Sequence, residues 1–166
     1  MKERTAKLMA AMIEYDRGDV QRIQHFVKVH NFAATIGVLE GLDEDTQDIL
    51  EAAAILHDIG IHLSERKYGS SAGHYQEIEG PTEAKKVLQE VGGFSEKETE
   101  RIQYLVGHHH TYHDIQGMDY QILVEADFLV NLYEDSLSGE AVCAARERIF
   151  RTNTGLRFLN EMFAEE

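Results

Sequence analysis

Ile49-Leu50-Glu51-Ala52-Ala53-Ala54-Ile55-Leu56-His57-Asp58 is the stretch on which the reading of this chain turns. Apolar at every position but Glu51 before it reaches His57, it is expected to form a helix buried in a core. It therefore carries an imidazole and a carboxylate into an apolar interior. Leaving such groups there unpaired costs roughly several kcal/mol. A bound cation satisfies both at once, so the stretch predicts a fold and a site together.

Working outward, apolar residues recur at helical spacing almost everywhere, there is one proline, and no segment alternates β-branched with polar residues. The chain reads as all-α, with helices expected over 3–15, 19–40, 44–59, 81–91, 96–110, 119–135, 139–151 and 154–164. Asp43 is expected to cap the third of these. Gly80-Pro81 places a proline at a first helical turn, and Ser95-Glu96-Lys97-Glu98 has the form of a capping box. Residues 62–79, with Gly69-Ser70-Ser71-Ala72-Gly73, read as one long irregular segment, and loops of that length are often functional. A single domain over 1–166 is expected, with its core at about 18–135 and the helices of 139–164 packed on it. The final Glu165-Glu166 reads as a solvated end, as does Glu134-Asp135.

Composition narrows the classes of function. Cys143 is the only cysteine, so no internal disulfide or thiolate zinc motif is available, and it reads as a small helix-packing residue. A formal charge of −14 disfavours bulk DNA or RNA, whose non-specific affinity comes from Lys and Arg neutralising phosphates. No segment approaches the run of about 18 apolar residues needed to span a membrane. Met1-Lys2-Glu3-Arg4 opens a charged amphipathic stretch rather than a signal peptide, and a cytoplasmic location is expected.

Four places set a ligand-type residue on a core-like helix. His25 shares an apolar stripe with Val29, Phe32 and Ala33. His57 and Asp58, adjacent in sequence, diverge by about 100° around a helix axis and so can embrace a site. His108-His109-His110 closes a helix bearing Ile102, Leu105 and Val106, and Asp127 interrupts the apolar run 122–130. Singly, each has an ordinary explanation: a hydrogen-bonded core histidine, a capping carboxylate, a polar helix end. Their joint occurrence on four core-type helices favours a metal. Imidazole and carboxylate without thiolate suit Mn, Fe, Co, Ni, Zn or Mg.

The order His25, His57-Asp58, Asp127 on an all-α chain resembles the HD-domain superfamily of metal-dependent phosphohydrolases over roughly residues 18–135. The resemblance rests on Arg22-Ile23-Gln24-His25 followed by Val29 and Ala33, on Ala54-Ile55-Leu56-His57-Asp58-Ile59-Gly60, and on Glu125-Ala126-Asp127-Phe128-Leu129. It implies a helical bundle in which His25, His57, Asp58 and Asp127 bind one divalent ion and Asp58 bridges to a second in dinuclear members. An aliphatic residue three places ahead, Val106, then selects His109 as a further ligand. His110, His74 and Glu77 are candidates for the second ion. Two departures stand out. Ile61 occupies the place of a lysine common in the family, and Gln76, not a histidine, lies four residues before Gly80.

The activity implied is hydrolysis of a phosphate ester or anhydride in a nucleotide or other small phosphorylated molecule, by a metal-activated water with Asp58 as the catalytic group. Arg22, Arg66 and Lys67 are the basic candidates for substrate contact, and His62 for protonation of the leaving group. The alternative is a non-catalytic metal or ligand sensor of the same fold, for which the missing lysine leaves room.

Overall fold

A computed structural model describes residues 1–164; Glu165-Glu166 lies outside them. Among the described residues the chain is all-helical: α1 (Glu3–Tyr15), α2 (Val20–Leu39), α3 (Glu44–Leu56), α4 (Ile61–Tyr68), α5 (Gly73–Val91), α6 (Glu96–Val106), α7 (Met118–Glu134), α8 (Gly139–Arg148) and α9 (Asn153–Met162). No helix is long and apolar enough to cross a membrane.

The opening stretch explains the centre of the bundle. In α3, Leu50, Ala53, Ala54, Ile55 and Leu56 are wholly buried, and the run of small alanines lets α2 and α7 pack closely on it. Phe26, Val29, Ala33 and Ile36 of α2 and Ile122, Leu123, Val124, Ala126 and Leu129 of α7 complete that core. The caps form where the sequence places them. Asp43 accepts from Thr46 N at 2.9 Å, and Ser95 and Glu98 exchange side-chain and backbone hydrogen bonds. Helices α8 and α9 contribute Val142, Ala145 and Leu159 to the same core.

One segment differs from expectation. Residues 62–79 are not a long loop: α4 occupies most of the first half, and α5 starts at Gly73 instead of at Pro81. Gly69 takes φ 64°, the left-handed conformation that ends α4, so its glycine marks a tight helix-to-helix turn. Pro81 lies inside α5. It costs that helix one N–H, and the carbonyl of Pro81 accepts from Gln103 Nε2 at 2.9 Å on α6. Tertiary packing against α6 thus holds a helix whose local sequence argues for a break. Helices α3 and α6 also stop before the residues that matter, and His57-Asp58 and His108–His110 sit in the turns that follow.

Candidate metal centre

Because α2 and α7 flank α3, side chains from all three meet at the C-terminal end of α3. His25 Nε2 lies 3.1 Å from His57 Nε2, 3.2 Å from Asp127 Oδ1 and 3.4 Å from Asp58 Oδ2. His57 Nε2 is 3.5 Å from both carboxylate oxygens. Donor atoms placed about 2.1 Å from a shared ion lie roughly 3.0–3.4 Å apart, so four side chains from three elements already stand at ligand spacing.

The far nitrogens show the same preparation. His57 Nδ1 donates to the Ala54 carbonyl at 2.8 Å, and His25 Nδ1 to Glu134 Oε2 at 2.9 Å. Each bond fixes the proton on Nδ1 and turns the Nε2 lone pair toward the centre, as oriented metal ligands require. Asn131 Nδ2 donates to Asp127 Oδ1 at 2.9 Å. Glu134 is therefore not the solvated end expected from the sequence. It sits one helical turn from Asn131, partly buried, and also pairs with Lys28.

A second group shares Asp58. His109 donates through Nδ1 to the Val106 carbonyl at 2.8 Å, and its Nε2 lies 3.4 Å from Asp58 Oδ1. That Nε2 is fully buried and has no hydrogen-bond partner, an orphaned acceptor that a cation would satisfy. Donor atoms of Asp58, His109 and His110 lie close enough together to hold an ion, as do those of His25, His57 and Asp58. His110 Nε2 is 3.1 Å from Gln76 Oε1, so the residue four before Gly80 does reach this group, as an amide.

Electrostatics keep the carboxylates ionised. Burial raises the Asp58 pKa, but the His57 and His109 imidazoles outweigh it and hold the group well below the usual carboxylate range. His25 and His57 do the same for Asp127. For His57, burial pushes downward and the charges of Asp58 and Asp127 prevail, raising it to about 9. His110, dominated by burial and then by His109, falls to about 4 and is a neutral donor at ordinary pH.

Above the centre opens a cavity of about 520 Å³, whose walls include Asp58, Asp127, His25 and His110 and, further out, Arg22, Tyr112 and Phe128. Of the basic candidates only Arg22 lines it, and Arg22 pairs with Asp19 at 3.0 Å and Glu65 at 2.9 Å. Lys67 bonds Glu79 at 2.9 Å, and neither it nor Arg66, both on the last turn of α4, reaches the cavity wall. His62 is a helix residue, not a loop residue, with Nε2 3.2 Å from Asp16 Oδ1. His74 is exposed on the first turn of α5 and belongs to neither group. Glu77 is occupied with the turn after α6, accepting from His110 N at 3.0 Å and Thr111 Oγ1 at 2.9 Å. Sequence reading missed Glu134, Asn131 and Tyr112. The i, i+4 step from Asp127 to Asn131 was the one signal available for any of them.

An all-helical bundle closed around a buried histidine and aspartate cluster able to hold metal is the class that fold and site define. The HD domain profile matches residues 22–146, well over half of the chain, and the chain belongs to that family. No curated protein and no solved structure matches it significantly.

Proposed function

We propose that the protein is a metal-dependent phosphohydrolase acting on a small phosphorylated molecule. The observation that carries this reading is a pair of ligand groups sharing one carboxylate, Asp58, at the floor of an open cavity. His25, His57, Asp58 and Asp127 would hold one divalent ion, and Asp58 with His109 and His110 a second. Bound there, such ions supply Lewis acidity and a water acidified toward neutral pH.

The chain's own groups divide the remaining work. Asp58, ionised and facing both groups, would hold the ions together and orient the attacking water between them, its low pKa suiting it to a ligand more than to a proton acceptor. Tyr112, whose pKa burial pushes far above the ordinary phenol value, stays a hydrogen-bond donor on the cavity wall and is assigned to a phosphate oxygen. Arg22 is the one guanidinium on that wall. His62, turned to Asp16 and absent from the wall, is a weaker candidate for proton delivery than sequence order suggests.

Chromatographic product analysis of a panel of phosphomonoesters, nucleotides and cyclic dinucleotides, with Mn²⁺, Co²⁺ or Mg²⁺ added, tests the reading. Turnover is expected with at least one metal, and Asp58→Ala is expected to lose turnover and metal together. Metal retained with no turnover on any compound would favour the sensor.

A further inference from the structure

The cavity over the metal centre has a charge pattern that selects among phosphates. Five carboxylates line it: Asp58 and Asp127 at the floor, and Asp19, Glu134 and Asp135 further out. Against them stands one fixed cation, Arg22, already paired with Asp19 and Glu65. Counting the partners just outside the wall, Glu65 on Arg22 and Lys28 on Glu134, six carboxylates meet two divalent ions and two side-chain cations, which leaves no surplus and no cation unpaired. The ions would draw one phosphoryl group to the floor, whereas a second or third phosphate would point outward among carboxylates with no free cation to meet it. The net charge of −14 adds to that repulsion. Sites that take polyphosphates instead gather several Lys, Arg or backbone N–H donors around the chain of phosphates.

The rest of the wall is apolar and aromatic. Phe128 and Tyr112 meet edge to face with ring centroids 5.1 Å apart, and Leu132, Leu137 and Ile61 extend that surface. Gln21 and Asn131 bring amide groups to the same wall, suited to heteroatoms on a ring. The volume lies within the range of sites that enclose a drug-sized molecule.

We propose that this cavity takes a monoester bearing a single phosphoryl group on an uncharged, ring-containing moiety of nucleoside size, and that the carboxylates at its rim exclude more heavily phosphorylated compounds. This rests on the phosphohydrolase reading and narrows it. The whole chain, reconstituted with Mn²⁺, is assayed on nucleoside 5′-monophosphates, the matching triphosphates, ribose 5-phosphate and a cyclic dinucleotide. The best monophosphate is expected to exceed its triphosphate, the cyclic dinucleotide and ribose 5-phosphate at least tenfold in kcat/KM. In Asp135→Lys, at the exposed rim, the ratio of monophosphate to triphosphate is expected to shrink several-fold; an unchanged ratio overturns the role given to the rim. A binding readout is independent of turnover. In calorimetry on the metal-free chain, the nucleoside should bind tightest, its monophosphate more weakly and its triphosphate weakest, and the reverse order counts against the proposal. Turnover of the triphosphate or cyclic dinucleotide at or above the monophosphate overturns this inference and leaves the phosphohydrolase standing. No hydrolysis product of any kind from any compound, followed by chromatography, overturns both.

Discussion

Asp58 carries more of the site than any other side chain, because its two oxygens face different ligand groups, Oδ2 toward His25 and His57 and Oδ1 toward His109. His109→Ala removes a ligand from one group only. Metal content after reconstitution with Mn²⁺ is expected to fall from two ions per chain to one, and an unchanged count would remove His109 from the site. Glu134→Gln keeps the size of the side chain that orients His25 but removes its charge. Mn²⁺ affinity by calorimetry is expected to drop about 10-fold or more, in line with the effect of losing a partner of a metal-bound histidine. At this scale His25, His57, Asp58, His109 and Asp127 were legible in the sequence because a polar residue in an apolar stripe is conspicuous. Glu134 and Tyr112 were not: one lies at a helix end and the other in a turn, where polar residues are unremarkable, and only the tertiary fold brings them in.

Among elements, the turn from α3 to α4 sets His57 and Asp58 against α5, and it does so by backbone contact. A Cβ on Gly60 would stand 2.8 Å from the Gln76 carbonyl oxygen and 2.9 Å from Gly80 N, both backbone atoms with little room to yield. Gly60→Ala is therefore expected to destabilise the fold by about 1–3 kcal/mol, the usual cost of overpacking, and to weaken metal binding by displacing the turn. Urea unfolding and a Mn²⁺ titration measure the two effects; wild-type stability in this variant would contradict the close crossing. The same crossing shows why α4 and the first half of α5 were illegible, while the helix expected over 81–91 forms the rest of α5. Both segments are poor in apolar residues, Gly69–Gly73 and Pro81 argue locally for a break, and what holds the helices is Pro81 and Gly80 fitting against Val106 and Gly107 of the next turn. The apolar helices α2, α3 and α7 needed no such help and could be read directly.

The whole molecule answers to pH through the same cluster. In the metal-free chain His57 stands at about 9, above its ordinary value of 6.5. Its contribution to stability is thus fully present below about 6.5 and lost as pH rises through about 9. His25, where burial is outweighed by Asp127 and Asp58, is raised too and acts in the same direction. The thermal midpoint of the metal-free chain is expected to fall across that window. With metal present it should hold or rise, because the ion takes the place of the protons and binds more tightly as they leave. A metal-free midpoint that climbs between pH 6.5 and 9 would contradict the charge balance described for the site. On the proposed reading, with the chain's charge of −14, an anionic substrate would be drawn by local positive charge at a metal-loaded site and not by the field of the whole molecule.

The most direct test is crystallographic: anomalous scattering from crystals of the protein grown with Mn²⁺. A peak is expected within bonding reach of His25 Nε2, His57 Nε2, Asp58 Oδ2 and Asp127 Oδ1, with a second between Asp58 and His109. Well-ordered density for those four side chains with no anomalous peak among them would contradict the account.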